Sequence, residues 1–290
     1  MKRYTSIGDL LKDYRKREKL SQSDFAAMFD VDIRSIIRWE KNETLLNNEK
    51  EQEISSVTFI PYQVIRNLNT ASPIPIFYDF DLRKYSLSTL STELPDADWI
   101  RSRIDVSTKR IRPISSEKDI ENIIRFEKLQ RDPQKSLSAE LMMEAAKQLP
   151  ELNLIILDQS GHYSGHCVYF SIDVNTYSKI RNRTLKENQL KPEHLVNYKN
   201  QETPVFYCHS ITADCNENFF YIIGAVLKFY RDTPLGDYIY ALLTSRYDSH
   251  HMSEQLGVKQ VWEDDLAREK NHMLSAPRLV EGNFSVFLNS

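Results

Sequence analysis

At 290 residues the chain is long enough for two ordinary domains. Its 41% hydrophobic and 27% charged residues exclude an intrinsically disordered chain, and a net charge of −3 excludes one coated in basic residues. No run approaches the roughly 18 apolar residues of a membrane span, so no membrane is expected as a partner. The opening MKRYTSIGDLLKDYRKREKL lacks the apolar segment of a secretory signal. With 3 cysteines and no CxxC pair, a reducing cytoplasm is the expected setting.

The first predicted helix follows Ser6, with Asp9 three residues on and Ile7, Leu10, Leu11 and Tyr14 at helical spacing. Ser21 and Asp24 repeat that signature ahead of Phe25, Ala26 and Phe29. Asp32 can cap a third helix whose buried side is Ile36 and Trp39. Two short helices joined by a few residues, with small Ala26 and Ala27 where they cross, make a helix-turn-helix arrangement. Lysine and arginine outnumber acids over residues 1–42, the reverse of the whole chain, which suits a local footprint on nucleic acid. Arg15, Lys16, Arg17 and Lys19 read as a solvated helix end.

Residues 10–44, LLKDYRKREKLSQSDFAAMFDVDIRSIIRWEKNET, resemble the phage-repressor, or XRE-type, helix-turn-helix family. The resemblance lies in Leu11, Arg15, Leu20-Ser21-Gln22, Phe25-Ala26, Val31, Ile36 and Trp39-Glu40. It implies double-stranded DNA as partner, with Gln22 meeting a phosphate from the start of the second helix. Ile33, Arg34, Ser35 and Arg38 would face the major groove, where the Arg34 fork can bond guanine O6 and N7 together. Lys41, Asn42 and Thr44 would touch the DNA backbone. The family usually has glycine after this Trp-Glu pair. Here Lys41-Asn42 stands instead, and asparagine tolerates the left-handed stop.

Residues 47–56, NNEKEQEISS, read as a polar, turn-rich linker, and Val64, Ile65 and Leu68 as a helix closing a module over 1–69. Pro73 and Pro75 force extended backbone. Residues 70–107 are expected as an ordered arm, because Ile76, Phe77, Tyr78 and Phe80 are too apolar for a free tether.

A second domain is expected over 108–290, giving an α+β multidomain chain. Its predicted elements are a strand (KRIRPIS), two helices, a hairpin turning at Gly161 and Gly165, and an insert over 174–203 with a polar helix and Pro192. Strand PVFYCHSI, helix NFFYIIGAVLKFY, strand DYIYALLTS, helix RYDSHHMSEQLG and strands VKQVW and NFSVFL follow. This order, and the ending Leu256-Gly257-Val258, resemble the GNAT acyltransferase fold. In that family the loop before NFFYIIG holds Arg/Gln-x-x-Gly-x-Gly/Ala and binds the pyrophosphate of acetyl-CoA. Here it reads Thr212-Ala213-Asp214-Cys215-Asn216-Glu217-Asn218, with no Arg, Gln or Gly. Asp214 or Asn216 is expected to cap the helix, filling the donors phosphate would need, and Glu217 repels an anion. The family's acid tyrosine falls near Ser253.

His162, His166, His209, His250 and His251 lie near Cys167, Cys208 and Cys215 in sequence. Across a hairpin turn His162 and His166 do not share a face, and Cys208 and His209 point to opposite sides of a strand, so neither a metal nor a cofactor is expected. The expected function is sequence-specific DNA-binding transcriptional regulation by a homodimer of bacterial or phage type. The second domain would sense a small molecule or bind a protein, and no catalytic residue is assigned. The rival is an active N-acyltransferase fused to a DNA-binding module; a DNA-binding antitoxin of a toxin pair is a third reading.

Overall fold

A computed structural model describes residues 1–87, 97–130, 137–246, 253–271, 273 and 275–289. The chain divides into two compact units, Met1–Thr92 with Leu157–Ser164, and Glu93–Ile156 with Gly165–Ser290.

In the first unit, strand β1 (Lys2–Tyr4) leads into α1 (Ile7–Arg17), α2 (Gln22–Met28) and α3 (Ile33–Glu40). The capping residues act as expected. The Ser6 hydroxyl accepts from Asp9 N, Ser21 and Asp24 form a reciprocal capping box, and Asp32 accepts from Arg34 N. Leu10, Leu11, Phe25, Phe29 and Ile36 close the core between the three helices. Gly8 lets α1 and α3 cross closely, since a Cβ there would stand 2.3 Å from the Trp39 carbonyl oxygen.

The stretch expected as a polar linker is instead helix α4 (Asn48–Thr58). Asn47 caps it by accepting from Lys50 N at 2.8 Å, and Ile54 is fully buried. Glu51, one of the acids of that polar stretch, is also fully buried. It accepts from Arg66 Nη1 at 2.9 Å, Asn69 Nδ2 at 2.6 Å and the Tyr62 hydroxyl at 3.3 Å. A buried carboxylate with such partners reads as surface in sequence. Helix α5 (Tyr62–Leu68) then closes the bundle with Val64, Ile65 and Leu68 inward, as expected.

The arm begins inside this unit. Strands β2 (Ile76–Asp79) and β3 (Lys84–Ser86) join β1 in an antiparallel sheet, with Arg3 opposite Phe77 and Phe77 opposite Ser86. Ile76, Tyr78 and Phe80 belong to the same core as the helices. The other part of the unit, 157–164, is a turn on Asp158, whose Oδ1 accepts from Ser160 N and His162 N. Tyr163 packs on Phe59 and His162 stacks on Tyr62.

The second unit holds α6 (Ala97–Arg101), β4 (Ile111–Pro113), α7 (Glu117–Leu129), α8 (Ala139–Gln148), β5 (Leu154–Leu157) and β6 (Tyr163–Ile172). There follow α9 (Val174–Arg181), β7 (Val205–Ala213), α10 (Asn216–Asp232), β8 (Ile239–Thr244), β9 (Val258–Glu263), α11 (Asp265–Asn271), β10 (Arg278–Gly282) and α12 (Ser285–Asn289). A 7-stranded sheet runs in the order β4-β5-β6-β7-β8-β10-β9. Strands β7 and β8 are parallel, in register from Val205 opposite Ile239 to Cys208 opposite Leu242. The pairs β4–β5, β6–β7, β8–β10 and β9–β10 are antiparallel. This is the mixed α/β arrangement expected from the acyltransferase resemblance.

The C-terminal end departs from expectation. NFSVFL, read as the last strand, forms helix α12, and the last strand is Arg278–Gly282. Asn283 turns the chain by accepting from Ser285 N, and Gly282 approaches Gly257 so closely that a Cβ would lie 2.7 Å from its oxygen. The insert is pinned to β10: the Tyr177 hydroxyl and the Arg181 guanidinium both donate to Glu281. Half of the helix read over 246–257 (residues 247–252, with His250 and His251) lies outside the described residues.

Candidate nucleic-acid interface

The pattern that buries Ile36 and Trp39 on α3 turns Ile33, Arg34 and Arg38 outward. Ile33 keeps 41% of its surface exposed, unusual for so apolar a residue on a two-turn helix. Ser35 is half-buried, and Lys41, Asn42 and Thr44 are exposed just beyond the helix. Neither Arg34 nor Arg38 has an ion-pair partner among the described residues. Lys41 stands 3.8 Å from Glu43, both mostly exposed, a pair worth about 1 kcal/mol at most and readily exchanged for a phosphate. The eight positions assigned from the sequence thus gather at α3, the turn after it and the start of α2.

Two of them have work inside the bundle. Asn42 sits in the left-handed region at φ 58°, as its substitution for glycine required, and its Oδ1 accepts from Gly8 N at 3.0 Å. Gln22 donates from Nε2 to Glu40 Oε2 at 2.9 Å. Glu40 is the hub that sequence reading missed, noticed only as a letter of the family pattern. Arg15 grips it with Nε and, at 3.1 Å, with Nη2, while Arg15 Nη1 donates to the Leu20 carbonyl at 3.0 Å. Burial acts to raise the Glu40 carboxyl, but the Arg15 and Gln22 hydrogen bonds outweigh it and hold it below the usual carboxylate range. Arg15 is therefore no solvated helix end. Through Glu40 it ties α1 to the end of α3 and the start of α2, fixing the helix that carries Arg34.

A helix-turn-helix family model matches residues 11–65. This segment is an XRE-type helix-turn-helix domain. It takes in α2, α3 and α4 and most of α1 and α5, so the stretch read as a linker lies within the matched domain. No curated protein matches the chain. Among solved structures, similarity extends to a NatC complex bound to Gag peptide and CoA, at 13% identity over 59% of this chain and 95% of that one, TM-score 0.37. Naa20 of Chaetomium thermophilum with a bisubstrate analogue gives 11% identity, 62% and 88% coverage and a TM-score of 0.38. Arylalkylamine N-acetyltransferase 2 of Aedes aegypti gives 12%, 60% and 98%, with 0.36.

At the loop before α10, one expectation fails. Cys215, not Asp214 or Asn216, is the N-cap, and its side chain makes no capping hydrogen bond. Asp214 is buried and accepts from Asn218 Nδ2 at 2.7 Å. The sequence could not foretell this, because either side chain can reach the same amides. Asp214 and Glu217 thus put two carboxylates at the entry to α10.

Histidines 166 and 209 meet in an unforeseen way. His209 Nδ1 lies 2.7 Å from Glu187 and its Nε2 3.1 Å from Glu127, while His166 Nε2 lies 3.6 Å from Glu127 and 2.9 Å from the Ser210 hydroxyl. All four ionisable groups are buried. Burial acts to lower the His209 pKa, but the Glu127 and Glu187 carboxylates override it and raise it to about 9. A register shift in the β6–β7 ladder at Val168/Tyr169 brings Ser210 and His209 to this cluster. Cys208 faces the opposite core, as the strand argument expected. His162 does not join His166. Among the described residues, no group of His, Cys, Asp and Glu is arranged to hold a metal ion.

Proposed function

We propose that this chain is a sequence-specific transcriptional regulator that binds double-stranded DNA as a homodimer through α3. The observation carrying this reading is the outward set Ile33, Arg34 and Arg38 on a helix-turn-helix domain whose third helix is locked by the Arg15–Glu40–Gln22 bonds. Arg34 is the base reader, because its guanidinium can fork onto guanine and has no ion-pair partner among the described residues. Ile33 can meet a thymine methyl, and Ser35 and Arg38 lie within reach of the same groove. Gln22, Lys41, Asn42 and Thr44 anchor phosphates around it.

The second unit serves as a sensing or interaction domain, not as an acyltransferase. The acidic, glycine-free stretch 212–218 supports this, since it offers the pyrophosphate of acetyl-CoA two carboxylates and no cradle. Selection of bound sequences from a randomised duplex library by the purified full chain tests the reading. A recovered motif with two related half-sites is expected, and recovery of no enriched sequence at moderate salt would overturn it.

A further inference from the structure

At the start of α10 the half-buried ring of Phe220 meets Trp99 of α6 edge to face, centroids 4.4 Å apart. With Tyr221, Val106, Arg103 and Glu217 these rings line a cavity of about 330 Å³, within the range of small-molecule sites. Phe219 of the same helix is buried, but Phe220 and Tyr221 are only half-buried.

The charges of the lining are unevenly matched. The Arg103 guanidinium lies over Trp99, 3.9 Å from the ring centroid. Its Nη1 donates to the Ser102 hydroxyl at 3.2 Å, and it meets no carboxylate among the described residues. Glu217, in contrast, accepts from the Tyr221 hydroxyl at 3.3 Å and stands 3.9 Å from Arg110. Arg110 lies over the Tyr221 ring, 5.7 Å from its centroid. Of the two charged groups that line the cavity, Glu217 is thus offset by Arg110 beside it, and Arg103 is left without a carboxylate among the described residues, within walls of three rings. A guanidinium stacked on an indole is held in one plane, which aims its donors and suits a flat, two-pronged acceptor.

We propose that this cavity binds a small planar aromatic carboxylate, its ring among Trp99, Phe220 and Tyr221 and its carboxylate on Arg103. An organic ammonium, the other habitual guest of aromatic cages, is disfavoured: Arg103 already holds the Trp99 face and Arg110 offsets Glu217. The site deepens the sensing role given to the second unit and rests on that reading only for its consequence at DNA, not for binding itself.

Calorimetric titration of the full chain without DNA is the test, with indole-3-acetate as probe and tryptamine and indole-3-acetamide as its cationic and neutral counterparts. Saturable binding of the acid is expected, about tenfold weaker binding of the amide and none of the amine. Arg103→Gln should weaken the acid by about tenfold and leave the amide unchanged. Phe220→Ala should weaken both, with circular dichroism confirming that each variant is folded. Failure of the acid to saturate at millimolar concentration overturns the proposal, as does equal binding of tryptamine or unchanged acid binding by Arg103→Gln. DNA binding is measured apart from this. A chain that takes the acid but no DNA would sink the regulator and leave the pocket standing, and the converse would do the opposite.

Discussion

Arg34 carries its guanidinium on the outward side of α3, whereas Lys41 stands past the helix end beside Glu43, so the two should fail differently on DNA. Arg34→Ala is expected to lose about 1–3 kcal/mol on the cognate site and relax preference at one position. Lys41→Ala should weaken all sequences alike and reduce the salt dependence by about one charge. Both are read on a randomised operator library at several salt concentrations; an Arg34→Ala protein with full base preference refutes the assignment. His209 supports a prediction about stability. Its folded pKa of about 9 stands above the ordinary 6.5, so its contribution is complete below pH 6.5 and is lost as pH rises through 9. The shift corresponds to a contribution on the order of 3 kcal/mol. Denaturant midpoints should fall across that window, and His209→Gln, less stable at pH 6.5, should flatten the slope. Unchanged slopes would show that the cluster is not charged as described. The outward residues of α3 were legible in sequence because helical periodicity assigns faces. The cluster was not, since Glu127 and Glu187 are brought to His209 from elements far apart in the chain.

The crossing of α1 and α3 turns on Gly8. Alanine there would gain about 1 kcal/mol of helix propensity, but its Cβ would stand 2.3 Å from a backbone oxygen and 2.7 Å from Asn42 Oδ1. Overpacking of that kind costs about 1–3 kcal/mol. Gly8→Ala should therefore destabilise the first unit and weaken DNA binding with it; a higher urea midpoint for the variant would contradict the crossing. The entry to α10 makes a second element-scale prediction. With Asp214 and Glu217 at that joint, isothermal titration with acetyl-CoA or CoA should show no micromolar binding. Micromolar affinity, lost on rebuilding the Asn218 end of the loop, would put the acyltransferase reading first. Capped, periodic helices such as α1, α2 and α3 were readable because each announces its own start. Helix α4 hid its apolar face behind Glu51, and β1 was too short to show alternation. In α12, the alternating Phe284, Val286 and Leu288 imitated a strand.

For the whole molecule, one helix-turn-helix offers a small footprint, and two related by a two-fold axis would read half-sites about one helical turn apart, roughly 34–36 Å. Light scattering at micromolar concentration should give a dimer on operator DNA, and a monomer both free and bound would refute it. The order of elements in each unit was largely legible, but the limits of the first unit were not: nothing in LDQSGHYS announces that a hairpin turn belongs with helices a hundred residues earlier. That membership bears on how the protein is made. A ribosome adding about 5–20 residues per second releases Phe59 and Tyr62 well before Tyr163 and His162 exist to cover them. The nascent first unit must therefore wait, unfinished, until synthesis has passed Ser164. For the same reason, no single cut in the gene can deliver that unit whole.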